Sequence, residues 1–201
     1  MKNKWTYILV SVFIMISLVW GLFRLDIFQP SIASKILRFH VLANSDSVRD
    51  QHLKLEVRNV VGAYLGPLLE SADSIEETKE VIAMQEEKIL ELAKATLQKN
   101  GCDAKVRASV KTVDFPEKTY GAYTFPAGKY EALQIVIGEG EGQNWWCVLY
   151  PNMCFRGSVY EVVDENAKEM LREILSPWEY AEVFESPRVE IRSKLLEYFK
   201  D

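Results

Sequence analysis

An uncharged, apolar run over residues 5–23 limits what this chain can become more than any other feature. Lys2 and Lys4 precede the run and Arg24 follows it. As a helix rising about 1.5 Å per residue it would be roughly 28 Å long, close to the ~30 Å hydrocarbon thickness of a bilayer. The flanking charges favour an N-terminus in the cytoplasm and translocation of the remainder. We therefore expect a signal peptide or a retained membrane anchor over residues 1–28.

The rest of the chain has the composition of a folded protein. Of the 201 residues, 48% are hydrophobic and 26% are charged, which suits one domain and an appendage better than two full domains. The formal net charge is −5, and its acidic excess lies after Glu161. Because no basic excess is available to bind phosphates, nucleic acid is excluded as a partner. We expect one folded domain over residues 29–157 and an acidic helical tail over residues 158–201.

Residues 36–42 alternate with the period of a β-strand. Apolar side chains occupy one face, and Arg38 and His40 occupy the other, which we expect to be partly exposed. A helix to about Leu65 follows, and a second helix begins at the capping pair Ser74 and Glu77. The side chains able to cap the first helix are Asn44, Ser45, Asp46 and Ser47.

Alternation and turn residues predict four further strands, over residues 104–113, 119–125, 130–137 and 145–150. Pro126-Ala127-Gly128 is typical of a turn, so we expect the middle two strands to form a hairpin. The order of elements predicts an α+β fold, in which two helices pack on an antiparallel sheet of about four to five strands. In the tail, helical spacing begins near Val163 and again after Ser186-Pro187. The tail could project as a partner-binding arm, but we expect it to dock on the domain.

Two stretches of the chain resemble the stage II sporulation protein R family of endospore-forming bacteria. The first stretch begins with RFHVLANSDS at residues 38–47 and continues to Arg58. The second contains KTYG at 118–121, PAGKYEAL at 126–133, VIGEG at 136–140 and NWWCVLYP at 144–151, and ends at Cys154-Phe155. Asn152-Met153 departs from the Pro-containing pair expected there.

The resemblance implies a signalling role between two cells. Members of this family are made in the forespore and exported into the space between the forespore and mother-cell membranes. There they activate a membrane-embedded aspartic protease, which cleaves the precursor of an early mother-cell sigma factor. We therefore expect this protease as the partner, with the membrane contacted through the N-terminal segment. We expect neither an enzyme activity nor a cofactor, a metal or a small-molecule substrate.

Six residues are the candidates for contact with the partner, each with a plainer alternative. Arg38 and His40 also suit an exposed polar strand face, and the polar side chains at 44–46 also suit helix capping. Of two neighbouring tryptophans on one strand, one should face the core and the other should face away, where a tail could cover it. The candidates are Arg38, His40, Asn44, Ser45, Asp46 and Trp146.

The three cysteines allow at most one bridge within the chain. Export to an oxidising space favours a bridge between Cys147 and Cys154, with Cys102 as the odd thiol. A tight turn at residue 151 would place the pair diagonally, ~7–8 Å apart, so the bridge requires a wider loop. A thiol nucleophile at Cys147 with His40 as its base is disfavoured, because the cysteine lies in an apolar strand.

Two other classes of exported protein remain as alternatives, a cell-wall hydrolase and a wall-binding module. A hydrolase needs an acid and a base held on fixed elements. Glu139 and Glu141 form an acidic pair, but they lie between glycines in a stretch that we expect to be flexible. Neither alternative would activate a protease.

Overall fold

The computed structural model describes residues 2–151, 153 and 165–185. The chain begins with helix α1 (Lys2–Ala33), whose large apolar side chains between Trp5 and Trp20 are exposed. Within these described residues, no helix has both the length and the apolar character that crossing a membrane requires. The membrane segment predicted over residues 5–23 is therefore not confirmed.

Three helices follow the first strand, β1 (Leu37–Leu42), where the sequence predicts two. They are α2 (Val48–Leu68), α3 (Ile75–Met84) and α4 (Glu86–Lys99). Ser47 and Ser74 cap α2 and α3, each by accepting a hydrogen bond from the N–H three residues later. The predicted second helix is divided at Gln85, whose side chain bonds the Tyr64 hydroxyl of α2.

The main sheet has four strands in the order β2 (Val106–Phe115), β5 (Gly128–Ile137), β1 and β6 (Asn144–Tyr150). β1 is antiparallel to β6 but parallel to β5, so the main sheet is mixed. The prediction of an antiparallel sheet is therefore wrong for the pair β1 and β5. The reason is the crossover through α2–α4, which a parallel pair requires. After this crossover the chain forms β2, and β5 then pairs antiparallel with β2. As a result, β5 runs in the same direction as β1.

The hairpin predicted between residues 119–125 and 130–137 is wrong. β3 (Lys118–Tyr120) and β4 (Tyr123–Phe125) pair with each other instead, as a separate two-stranded ribbon. Gly121, with φ +58°, lies in its two-residue turn, where a positive φ suits the right-handed twist of the strands. β5 pairs with β2 along its whole length.

Both faces of the main sheet are covered, by cores of different composition. Aliphatic residues of α2–α4 pack on the face that carries Phe39 and Val41. The opposite face packs against Ile32 of α1, Phe125 of the ribbon and Leu171 of the tail. The tail contributes α5 (Glu165–Ile174) and α6 (Pro177–Glu185), and the predicted helix after Ser186-Pro187 lies outside the described residues.

Glu179 of α6 fastens this part of the tail to the end of α1. Its carboxylate accepts hydrogen bonds from Lys35 Nζ at 2.6 Å, from Ser31 Oγ and from the Ser176 N–H at 2.6 Å. Burial raises the pKa of the Glu179 carboxyl, but the hydrogen bonds from Lys35 and Ser31 outweigh burial and lower it to about 2. A buried ion pair therefore holds the tail against the domain at neutral pH.

Candidate partner-binding face

The strand register places polar side chains in rows across the second face of the sheet. One row runs through Ser109, Gln134, His40 and Trp146. The next row toward the end of the sheet contains Arg107, Val136, Leu42 and Asn144. We name the polar part of this surface the His40 face, and its members are Arg107, Ser109, Lys111, Gln134, His40, Asn144 and Trp146.

His40 lies at the centre of this face with both ring nitrogens occupied. Nε2 donates to Asn144 Oδ1 at 3.1 Å, and Nδ1 accepts from Gln134 Nε2 at 2.9 Å. Only the neutral ring with its proton on Nε2 makes both bonds. The ring is 2% exposed, so the expectation of a partly exposed strand face is wrong here.

The pKa of His40 is lowered to about 4. Burial is the main cause, and the charges of Lys111 and Arg38 act in the same direction, while the hydrogen bond to Asn144 opposes them. His40 is therefore neutral at physiological pH. Because it has no free nitrogen, it holds its neighbours in place and offers no base to a substrate.

Trp146 covers His40 and is the aromatic residue of this face that reaches solvent. The two rings stack with centroids 3.7 Å apart and planes 13° from parallel. Phe115 packs on the same indole at 4.4 Å, although it lies six positions beyond Ser109 on β2. In a flat strand that separation would be about 20 Å, so the arm formed by β2 and β5 curls over the face.

Arg38 lies one row farther from the sheet end, fully buried in an aromatic cage. Its Nε donates to the Cys147 carbonyl at 3.1 Å and its Nη2 donates to the Tyr120 hydroxyl at 3.0 Å. Nη1 has no hydrogen-bond partner within the described part of the chain. Burial lowers the pKa of the guanidinium, and among the described residues no carboxylate opposes this shift. The cage consists of Phe115, Tyr120, Phe125 and Tyr130, with ring centroids 4.4–5.6 Å from Cζ.

Asn44 joins the loop after β1 to the glycine-rich loop that precedes β6. Its Oδ1 accepts from the Glu139 N–H at 3.1 Å, and its Nδ2 donates to Asp50 at 2.9 Å. A Cβ on Gly138 would lie 2.1 Å from Asn44 Oδ1, so the close approach requires glycine. The glycine-rich loop is therefore a held element, where the sequence predicts a flexible link.

Ser45 and Asp46 complete this junction, and neither is the N-cap of α2. Ser45 Oγ donates to Asp50 at 2.6 Å, and Asp46 accepts from the Gln143 N–H at 2.6 Å. The hydrogen bonds from Ser45 and Asn44 lower the pKa of the Asp50 carboxyl. Residues 44–46 thus fix the edge of the His40 face, and the remaining surface of Asp46 is exposed.

The cysteines are only partly described. Cys147 is disulfide-bonded and Cys102 is a free thiol. Cys154 lies outside the described residues, so the pairing of Cys147 with Cys154 stays a prediction. Within the described ranges there is no group of three or more His, Cys, Asp or Glu side chains placed to hold a metal ion.

The structure brings together His40 and Trp146, and it places residues 44–46 beside them. It buries His40 beneath Trp146 and Arg38 in the aromatic cage, and the predicted roles of both in partner contact stay predictions. Sequence reasoning missed the other five members of the face, which are Arg107, Ser109, Lys111, Gln134 and Asn144. Alternation gives the face of each strand, but the register that aligns these side chains with His40 has no signal in one sequence.

Comparison with known proteins identifies the family. The family model described as stage II sporulation protein R matches residues 33–160, which include the whole His40 face and the Asn44 junction. A curated relative of the same name from Bacillus subtilis (strain 168) is 36% identical over 160 residues, covering 76% of this chain and 71% of the relative. No solved structure matches the chain. The chain belongs to the stage II sporulation protein R family.

Proposed function

We propose that this sporulation protein is an exported signal that activates a membrane-embedded aspartic protease by binding to it. The protease would then process the precursor of the early mother-cell sigma factor. Membership of a sporulation family supports the cellular role. The observation that carries the binding mechanism is the partly exposed Trp146, held rigidly on a fully hydrogen-bonded His40.

A rigid aromatic side chain on a pre-organised polar surface suits protein recognition. Such a residue loses little conformational entropy on binding, and aromatic anchors carry a large share of interface energy. His40 is held by two hydrogen bonds and titrates near pH 4, so it does not suit general base catalysis at neutral pH. Activation follows if the face makes stronger contacts with the active state of the protease than with the inactive one.

Export suits the exposed apolar side chains of α1 between Trp5 and Trp20, which follow Lys2 and Lys4. This is the pattern that the secretory machinery recognises. We place the mature protein in the space between the forespore and mother-cell membranes. Fractionation of sporulating cells should recover it outside the forespore cytoplasm, and confinement to that cytoplasm would contradict the proposal.

Reconstitution of the protease with its sigma-factor precursor tests activation directly. Adding the purified full chain should start precursor cleavage, and Trp146→Ala should reduce cleavage at least tenfold. Trp178→Ala is the matched control, because Trp178 of α6 is 70% exposed and is not a member of the His40 face. An equal loss of precursor cleavage in the two variants would show that the His40 face has no specific role in activation.

A second variant separates binding from folding, since Trp146→Ala also opens a cavity over His40. Ser109→Tyr adds uncharged bulk to an exposed position of the face and should block activation with unchanged unfolding. Gln98→Tyr makes a similar addition at an exposed position of α4 and should leave activation intact. Activation by a chain that shows no association with the protease would defeat the proposed mechanism.

A further inference from the structure

We propose that the His40 face accepts an extended, acidic segment of the partner, lying alongside β2. This inference rests on the proposed function and specifies the chemistry of the protein segment that docks. The surface carries two cations, Arg107 and Lys111, and none of its seven members is acidic. Charge complementarity therefore favours carboxylates in the occupant.

Arg107 and Lys111 are spaced so that each could contact one side chain of an extended partner segment. They lie four residues apart on the same face of β2, which corresponds to about 13 Å at about 3.3 Å per residue. Both are exposed. Arg107 is held in position by a hydrogen bond from Nη2 to the Gly138 carbonyl at 3.2 Å. An extended segment with carboxylates four residues apart would match both cations.

The middle of the segment meets the row that lies between these two cations. That row holds Ser109 on β2, which is exposed, and Gln134 on β5. In an extended segment, the residue midway between the two carboxylates points to the same side as they do. An uncharged side chain at that position would lie over Ser109.

Charge at the sheet end sets which way the acidic side chains can lie. Asp46, Glu139 and Glu141 are exposed around the Asn44 junction, which lies beyond the Arg107 end of the face. Carboxylates of the partner would be repelled there and attracted along β2. The segment is therefore expected to follow β2 and to leave the junction to uncharged groups.

Association kinetics of the full chain with the purified protease test this inference. The double variant Arg107→Glu/Lys111→Glu should lower the association rate constant about tenfold at 50 mM NaCl, because charges at the rim of an interface act mainly on encounter. The wild-type rate should fall as salt is raised, and the variant should lose that dependence. Lys94→Glu/Lys99→Glu makes the same change of net charge on the exposed side of α4 and is the control.

A short peptide provides a second readout. The probe is a five-residue peptide with glutamate at its ends and valine at its centre, compared with the peptide that has glutamine at both ends. The glutamate peptide should compete with the protease for the wild-type chain, and the glutamine peptide should compete at least fivefold less well. Competition by the glutamate peptide should disappear in the Arg107→Glu/Lys111→Glu variant.

The outcomes separate this inference from the proposed function. If the wild-type chain binds the protease and both charge-reversal pairs slow association equally, the acidic segment is refuted and the activation mechanism stands. If both peptides compete equally, charge complementarity is also refuted. If the wild-type chain does not bind the protease at all, the proposed function fails, and the inference fails with it.

Discussion

Both faces of β1 are buried, but one face carries apolar side chains and the other carries polar ones. Phe39 and Val41 face α2–α4 and lie in a core of mainly aliphatic side chains. Arg38 and His40, their neighbours in sequence, are equally buried on the other face. There they rely on hydrogen bonds and stacked rings, because buried polar groups are costly unless they are paired.

The comparison separates stability from recognition. An aliphatic core tolerates exchange among hydrophobic residues of similar volume and so specifies little beyond the fold. A hydrogen-bonded histidine between two amides fixes the orientation of every group it touches. We therefore expect substitutions on the helix face to act through the folded fraction, and those on the His40 face to act on recognition as well.

The largest effect is expected on the helix face. Phe39→Ala removes a ring that packs edge-on against Trp145 and should lower the free energy of unfolding by about 3–5 kcal/mol. Urea unfolding at pH 7 measures the change. Val48→Ala, at a site that is 89% exposed, should stay within about 0.5 kcal/mol and serves as the control. A loss below about 1 kcal/mol at Phe39 would contradict the assignment of this core.

Arg38 tests whether the charge or the volume matters in the aromatic cage. Arg38→Ala should cost about 3 kcal/mol, because it empties the cage and leaves the Tyr120 hydroxyl and the Cys147 carbonyl without their donor. Arg38→Met keeps most of the volume and should cost less than half as much, since the buried charge has no acid partner among the described residues. Equal losses in urea unfolding would show that the charge itself stabilises the cage.

Acid should weaken the His40 face before it affects the helix face. The folded-state pKa of about 4 lies below the ordinary value of 6.5, so the unfolded chain binds more protons between these values. The contribution of His40 is fully present above pH 6.5 and is lost as pH falls toward 4. It amounts to about 2 kcal/mol between pH 7 and 4.5. His40→Gln should flatten this part of the pH profile of unfolding, and an unchanged profile would contradict the buried neutral ring.

The smallest effect is expected at the tail. Glu179→Gln removes the charge that accepts from Lys35 and should cost about 1–2 kcal/mol, the range for a hydrogen bond to a charged group. Because the folded-state pKa of Glu179 is about 2 and its ordinary value is 4.5, its contribution is lost only as pH falls from 4.5 toward 2. Protease accessibility of residues 165–185 measures the release, and Glu169→Gln, at an exposed position of α5, is the control.

The sequence predicts what is periodic and local in this molecule. Alternation in residues 36–42 correctly separates Phe39 from Arg38, and the capping residue Ser74 marks the start of α3. The burial of the polar face could not be predicted, because Phe115, Phe125 and Leu171 cover it from far along the chain. No local sequence pattern indicates that other elements bury both faces of a strand.

The errors in strand pairing have a similar origin. Pro126-Ala127-Gly128 carries strong turn residues and therefore predicts a hairpin at that position. Gly121-Ala122 gives a weaker turn signal, yet it forms the turn of the ribbon. The glycines at 138, 140 and 142 predict mobility when considered alone. They are held because Asn44 and the Ala43 carbonyl, distant in sequence, bond the backbone between them.

The position of β1 in the middle of the sheet has a consequence for how the chain is made. The first strand to be synthesised has both of its neighbours in β5 and β6, which are made last among the strands. A nascent chain therefore cannot close its sheet until residue 150 has emerged, and pairings so distant in sequence form slowly. The topology thus delays completion of the sheet until synthesis of the domain is nearly finished, a delay that would suit the proposed export of an unfolded chain.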